Sequence, residues 1–181
     1  MPSATVGAEK TGYHGCDQTV ADKVLTQGEH LYLSANDYDW LGGGTYFWED
    51  SPDRAWIWAQ RHPHPAVIGA HITLGHCFDL LQPENVALLR RHYRVFRNDM
   101  RLAGTAWPVN TPLFRRLDCA VIEHMHAYRD KQGFPPFDSL RGAFEEGEPV
   151  FPGSFLRTLT HIQLCVRNRA CILSYFPAAP P

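Results

Sequence analysis

Two short stretches hold the residue types that can do chemistry. The first is Tyr13-His14-Gly15. A histidine at a strand end can hydrogen-bond a sugar hydroxyl, and a glycine beside it offers backbone N–H and C=O to an amide-bearing ring. The second runs from Asp39 through Gly42-Gly43-Gly44-Thr45-Tyr46-Phe47-Trp48 to Ser51-Pro52-Asp53-Arg54-Ala55-Trp56. Three consecutive glycines free the backbone for positive φ and let a ligand come close. An aromatic strand follows, then a helix start with Ser51 as N-cap, Pro52 at the first position and Asp53 in the first turn. Loop, strand and helix N-terminus make a compact seat for something flat and anionic. Taken singly, each stretch reads equally well as a turn or strand edge with core aromatics.

One domain has to hold these residues. The chain of 181 residues suffices for a single domain with a real core. Apolar residues make up 44% and charged residues 20%, a globular balance. A formal net charge of -2 and a pI near 6.5 exclude a global basic field for nucleic acid or an anionic membrane. No apolar run approaches a membrane span, and the polar N-terminus lacks the apolar stretch of a signal peptide. Five cysteines, without C-x-x-C spacing, read mostly as buried thiols in a reducing compartment. The expected location is cytoplasmic, or that of a delivered effector without a cleavable signal.

The hydrophobic pattern sets the expected elements. Residues 1–10 and 177–181 read as flexible ends of one domain over 11–176. A strand at Thr11–Gly15 leads to a helix capped by Asp17 and stopped by Gly28. Leu31-Tyr32-Leu33 reads as extended, and a helix follows Ser51. Ala66–Leu74 is a buried strand and Gly75–Gln82 a turn. One helix opens at Pro83, with Val86, Leu89, Tyr93, Phe96 and Met100 on one side. A second opens at Thr111-Pro112 and runs through Tyr128. Phe137–Phe144 is extended, and Glu145–Phe155 is a loop rich in acids, Gly and Pro. His161–Val166 is a strand, with Ala170–Phe176 as its partner after a turn at Asn168-Arg169. The order defines an α+β domain.

His14-Gly15, then Gly44-Thr45-Tyr46-Phe47, then a helix with Ala55 and aromatics, resembles the diphtheria-toxin-like or PARP-like ADP-ribosyltransferases. The resemblance covers residues 12–60 and 137–176. It implies a split antiparallel β-sheet that clamps NAD, with a helical insertion at about 83–130. It implies that His14 holds the adenosine ribose and that Gly15 clamps the nicotinamide amide through its backbone. Tyr46, in the Gly44-Thr45-Tyr46 segment, would stack on the nicotinamide ring, with Trp56 or Trp58 closing the other side. The family's third residue is a Glu on a strand near the C-terminus. Alternation along His161–Val166 puts His161, Gln163 and Cys165 on one face, so Gln163 takes that place. The triad is then an H-Y-Q variant of H-Y-E. A Gln can hold the ribose hydroxyl but brings no charge to an oxocarbenium-like transition state. Glu145, Glu146 and Glu148 are the nearest acids, otherwise a solvated loop.

The Phe137–Gly142 segment and the acidic loop resemble a bacterial toxin-type branch. Asp138 and Arg141 would then contact NAD phosphates or the target, or else form a surface salt bridge. The implied activity is mono-ADP-ribosyl transfer from NAD, used as substrate without a metal, to a macromolecular acceptor of protein or nucleic acid. An antitoxin or immunity protein is an expected partner; a membrane is not. The alternatives are a non-catalytic NAD- or ADP-ribose-binding module, made plausible by Gln163, and an NAD glycohydrolase.

Other clusters read as structural. None of the histidine pairs has zincin spacing. Cys16 beside His14 suggests a thiol nucleophile but needs a separate orienting group. Arg90, Arg94, Arg97 and Arg101 share one helical stripe, the usual form of a solvated face.

Overall fold

The computed structural model describes residues 7–179. The elements run β1 (Glu9–Asp17), α1 (Gln18–Gln27), β2 (Thr45–Glu49), α2 (Pro52–Ala59), β3 (Pro65–Thr73), β4 (Cys77–Asp79), α3 (Pro83–Ala103), α4 (Arg116–Lys131), β5 (Ser139–Phe144), β6 (His161–Val166) and β7 (Ile172–Pro177). The class is α+β, as the pattern predicts. Glu9 and Lys10 belong to β1, and Ala178 still donates to Val67, so both ends are tied in further than expected. Residues 1–6 and 180–181, part of the expected flexible ends, lie outside the described residues.

Local chemistry explains most boundaries. Asp17 caps α1 by accepting from the Thr19 N–H at 3.0 Å. Pro83 opens α3, and Gly104 closes it in the left-handed region. Ser51 precedes α2 as expected but makes no side-chain cap bond. Residues 31–33 form no strand; this segment is tied to the glycine run by a bridge between Ser34 and Gly44.

The seven strands form one sheet in the order β4-β5-β6-β2-β1-β3-β7. All neighbours are antiparallel except β4 and β5, which are parallel, so the sheet is mixed rather than purely antiparallel. The expected β6–β7 hairpin does not form: β7 pairs with β3 at the far edge. A 3₁₀ turn at Arg169–Cys171 and bonds from the Arg167 and Asn168 amides to Asp138 O steer the chain away from β6.

That pairing bends the sheet. β6 and β7 are four ladders apart, roughly 19 Å in a flat sheet. Residues 167–171, with their 3₁₀ turn, fall short of that span. The sheet therefore curls at the β1–β2 junction, where the two strands share only the pairs Gly12–Glu49 and Tyr13–Trp48. One core cluster lies inside the bend, drawing Phe47, Leu164 and Val166 from one half and Ile68, Ala70 and Ile72 from the other. Gly12 sits where the halves meet. A Cβ there would stand 2.7 Å from Phe47 Cβ and 2.8 Å from Ile72 Cδ1. The opposite face carries α2 over β1, β2 and β3, and α3–α4 over β5 and β6.

Candidate functional site

Beyond Tyr13 and Trp48, β1 and β2 part, and a side chain bridges the gap. The His14 Nδ1–H donates to the Tyr46 carbonyl at 2.8 Å. Burial lowers the His14 pKa, so the ring is neutral with Nε2 as an acceptor. Tyr46, Trp48, Gln163 and His161 share one face of β2 and β6, by the register Tyr46–Cys165 and Trp48–Gln163. This strip lies between α2 and the α3–α4 pair. Gly142, opposite Gln163 on β5, puts no side chain over it. Trp40 and Phe144 stand edge to face at 4.1 Å alongside.

Tyr46 is fixed from its tip. Its hydroxyl donates to Gly42 O at 2.6 Å and accepts from the Leu41 N–H at 2.9 Å. Burial pushes its pKa far up, so the phenol stays neutral. The residue is half-buried and packs against the core cluster that holds Leu41, Ile122, Met125 and Cys165. Gln163 is also half-buried, and its amide has no protein partner among the described residues.

The end of the strip near α2 holds a polar cluster. Arg54 and Trp58 lie four residues apart on the α2 side facing β6. Arg54 pairs with Glu146 at 2.6 Å, and Glu146 Oε2 stands 3.8 Å from His161 Nδ1. Trp58 packs on Trp48 at 5.7 Å, and Trp48 on His161 at 6.3 Å. Three buried polar atoms here lack partners among the described residues: Trp48 Nε1, Arg54 Nε and His161 Nε2. The His161 Nδ1–H donates to Leu159 O, and burial lowers the pKa, so Nε2 is an unmatched acceptor. Unmatched buried groups are rare in native proteins and mark places where water or a ligand belongs.

The geometry sorts the residues chosen from sequence. Tyr46 and Gln163 share one face with Trp48, on which Trp58 packs, and Gly15 lies on that side beneath α2. His14 alternates with Tyr13 and falls on the other face, edge to face with Phe47 at 5.9 Å, so it meets Tyr46 at the backbone carbonyl rather than at the ring. Trp56 packs on the cluster of Trp48, Ala55, Ala59 and Val67. Arg141 lies on the opposite face, opposite Leu164, and is not in the strip. It grips Glu49 through two bonds of 2.6 and 2.8 Å and reaches Asp79 at 3.1 Å. Asp138 is likewise spent on the His76 N–H and Asn168.

The glycines admit protein rather than ligand. A Cβ on Gly42 would stand 2.3 Å from Glu123 Oε1, and one on Gly44 2.5 Å from Cys165 Sγ. Gly43 is clamped at both ends: Glu123 accepts from its N–H, and Arg167 donates to its carbonyl. The Thr45 hydroxyl donates to Tyr32 O. Gly15 lies directly under α2, where a Cβ would approach Ala55 O to 2.1 Å.

Arg54, Trp48 and His161 were not singled out as site residues. The sharing of a face by His161 and Gln163 was readable from alternation, but nothing in the spacing tied Arg54 to Glu146, 92 residues away. Cys16 is buried, with its thiol pushed up to about 11, and so is no ready nucleophile. A scan against protein-family models and a search of curated proteins return no match for this sequence.

Proposed function

We propose that this chain is a mono-ADP-ribosyltransferase that takes NAD as substrate, releases nicotinamide and passes ADP-ribose to a macromolecular acceptor. The proposed fold is the split-sheet core of that family, with α3 and α4 as its helical insertion. The supporting observation is the parting of β1 and β2 at His14-Gly15, with the half-buried Tyr46 and Gln163 on the neighbouring strip of β2 and β6. His14 would offer Nε2 to a ribose hydroxyl. Tyr46 would stack on the nicotinamide, with Trp58 on the far side. Gln163 would hold the nicotinamide ribose. The C–N glycosidic bond breaks with its electron pair leaving on nicotinamide, and an acceptor nucleophile bonds the ribosyl carbon and loses its proton. Positioning and fixed dipoles carry the rate enhancement, since Gln163 adds no charge.

One observation favours a second reading, a binding module. Gln163 is uncharged, and the carboxylate in the neighbouring polar cluster, Glu146, is already paired with Arg54. Nicotinamide release from NAD, with and without cell lysate as acceptor source, separates the two. The transferase reading expects release that Tyr46→Ala and Gln163→Ala abolish. NAD-induced thermal stabilisation without release under either condition establishes the module instead. Release with no label on any macromolecule points to NAD hydrolysis. Neither release nor stabilisation ends all three readings.

A further inference from the structure

Beside the Glu123–Arg167 clamp on Gly43, a cavity of about 380 Å³ opens toward the turn that follows α4. Glu123, His126, Arg129, Phe134, Pro136 and Arg167 line it. Its two guanidiniums are in different states. Arg167 is committed to Glu123 at 2.7 Å and to Gly43 O at 2.8 Å. Arg129 has no carboxylate partner among the described residues. Its hydrogen bond to protein runs from Nη2 to Pro135 O at 2.9 Å, and its Nε is buried without a partner.

Two aromatic rings hold the Arg129 guanidinium in place, Phe137 at 4.2 Å and Phe134 at 5.3 Å. A half-buried cation without a counterion is costly, and burial lowers its pKa accordingly. His126 adds a second unmatched atom, Nε2. Its pKa is pushed down to about 4 by burial and by Arg167, with Arg129 adding to the effect and Glu123 opposing it.

We propose that this cavity binds a small organic anion, a carboxylate or phosphate on a flat apolar body, through Arg129. Phe134 and Pro136 supply the apolar wall that such sites need beside a few placed polar groups. Glu123 on the wall and Asp130 beside Arg129 leave the lining close to neutral. The site therefore suits one anionic group and lacks the excess positive charge that a polyanion such as a nucleic acid needs. The inference stands apart from the NAD reading, because none of these residues lies in the β1–β2 cleft.

The test is titration of the full chain with phenyl phosphate, benzoate and inorganic phosphate, followed by calorimetry and by NMR of the histidine rings. Saturable binding of phenyl phosphate or benzoate is expected, with inorganic phosphate weaker. An anion beside Arg129 favours protonated His126, so its pKa should rise from about 4 on binding. Arg129→Gln should weaken binding at least tenfold, and Arg94→Gln, on the exposed face of α3, should leave it unchanged. No saturable binding by any probe up to about 10 mM would overturn the proposal. So would binding that leaves the His126 resonances unmoved in the wild-type chain, a readout that does not depend on a variant folding.

Discussion

At the scale of single residues, Tyr46 has two duties that separate experimentally. Its hydroxyl ties Leu41 and Gly42 to β2, and its ring packs on the cluster of Leu41, Ile122, Met125 and Cys165. Tyr46→Phe keeps the ring, orphans the Leu41 N–H and leaves Gly42 O with only the weak Cys165 thiol as donor. It should lower stability by about 1–3 kcal/mol, measured by urea unfolding, while leaving nicotinamide release closer to wild type than Tyr46→Ala does. Gly15 tests close packing. Gly15→Ala brings a Cβ against the Ala55 carbonyl and the Ala59 amide, both backbone atoms that cannot swing aside. A loss of about 1–3 kcal/mol and a shift of α2 are expected, visible in unfolding midpoints and in the amide spectra of residues 52–59. Both residues stood out in the sequence by type. The contacts that fix them did not, because a pair such as Ala55 over Gly15 joins positions with no shared periodicity.

At the scale of elements, the ion network of Arg141 joins β2, β4 and β5 across the face opposite the cleft. Glu49 is 8% exposed and Asp79 is 6% exposed. Burial alone would raise the Glu49 pKa, but Arg141 and Lys10 outweigh it and hold the carboxyl below its usual range. Arg141→Ala leaves Asp79 without its cation and Glu49 with only Lys10. It should destabilise by about 3–5 kcal/mol in urea unfolding and raise the Glu49 pKa, read by carboxyl NMR. Elements with local signals were legible: β1, α1, α2, β3, α3, β5 and β6 follow from caps, prolines and periodicity. β4 was hidden because three residues carry no period. The start of α4 was displaced because Thr111-Pro112 looks like a helix opening. Thr111 instead closes a turn on Phe114, and Asn110 reaches over to accept from the Leu117 and Asp118 amides. The partner of β7 was hidden because strand pairing is non-local, and a short turn usually means a hairpin.

At the scale of the whole molecule, pH should act through histidines. Burial lowers the pKa of His14, His92, His126 and His161 from 6.5. The unfolded chain takes up protons at these positions below about pH 6.5, and the folded chain does not until lower pH. Their contribution to stability is therefore complete above about 6.5 and declines as pH falls. Melting temperature should hold level from pH 8 to 7 and drop between about 6.5 and 5. His126→Gln should flatten that drop. Glu49 and Glu123, both held below the usual carboxylate range, add their own loss only at more acid pH.

The curled sheet also decides how the chain can be divided. One half takes its strands from β4, β5, β6 and β2, the other from β1, β3 and β7. Because β1 comes first and β7 last, every cut between them separates strands of the same half. A single nick by a protease in the loops at 104–115 or 145–160 thus leaves two fragments that remain associated, each holding strands the other needs. Such fragments should migrate together under native conditions, part only in denaturant, and restore the fold when mixed rather than when refolded singly.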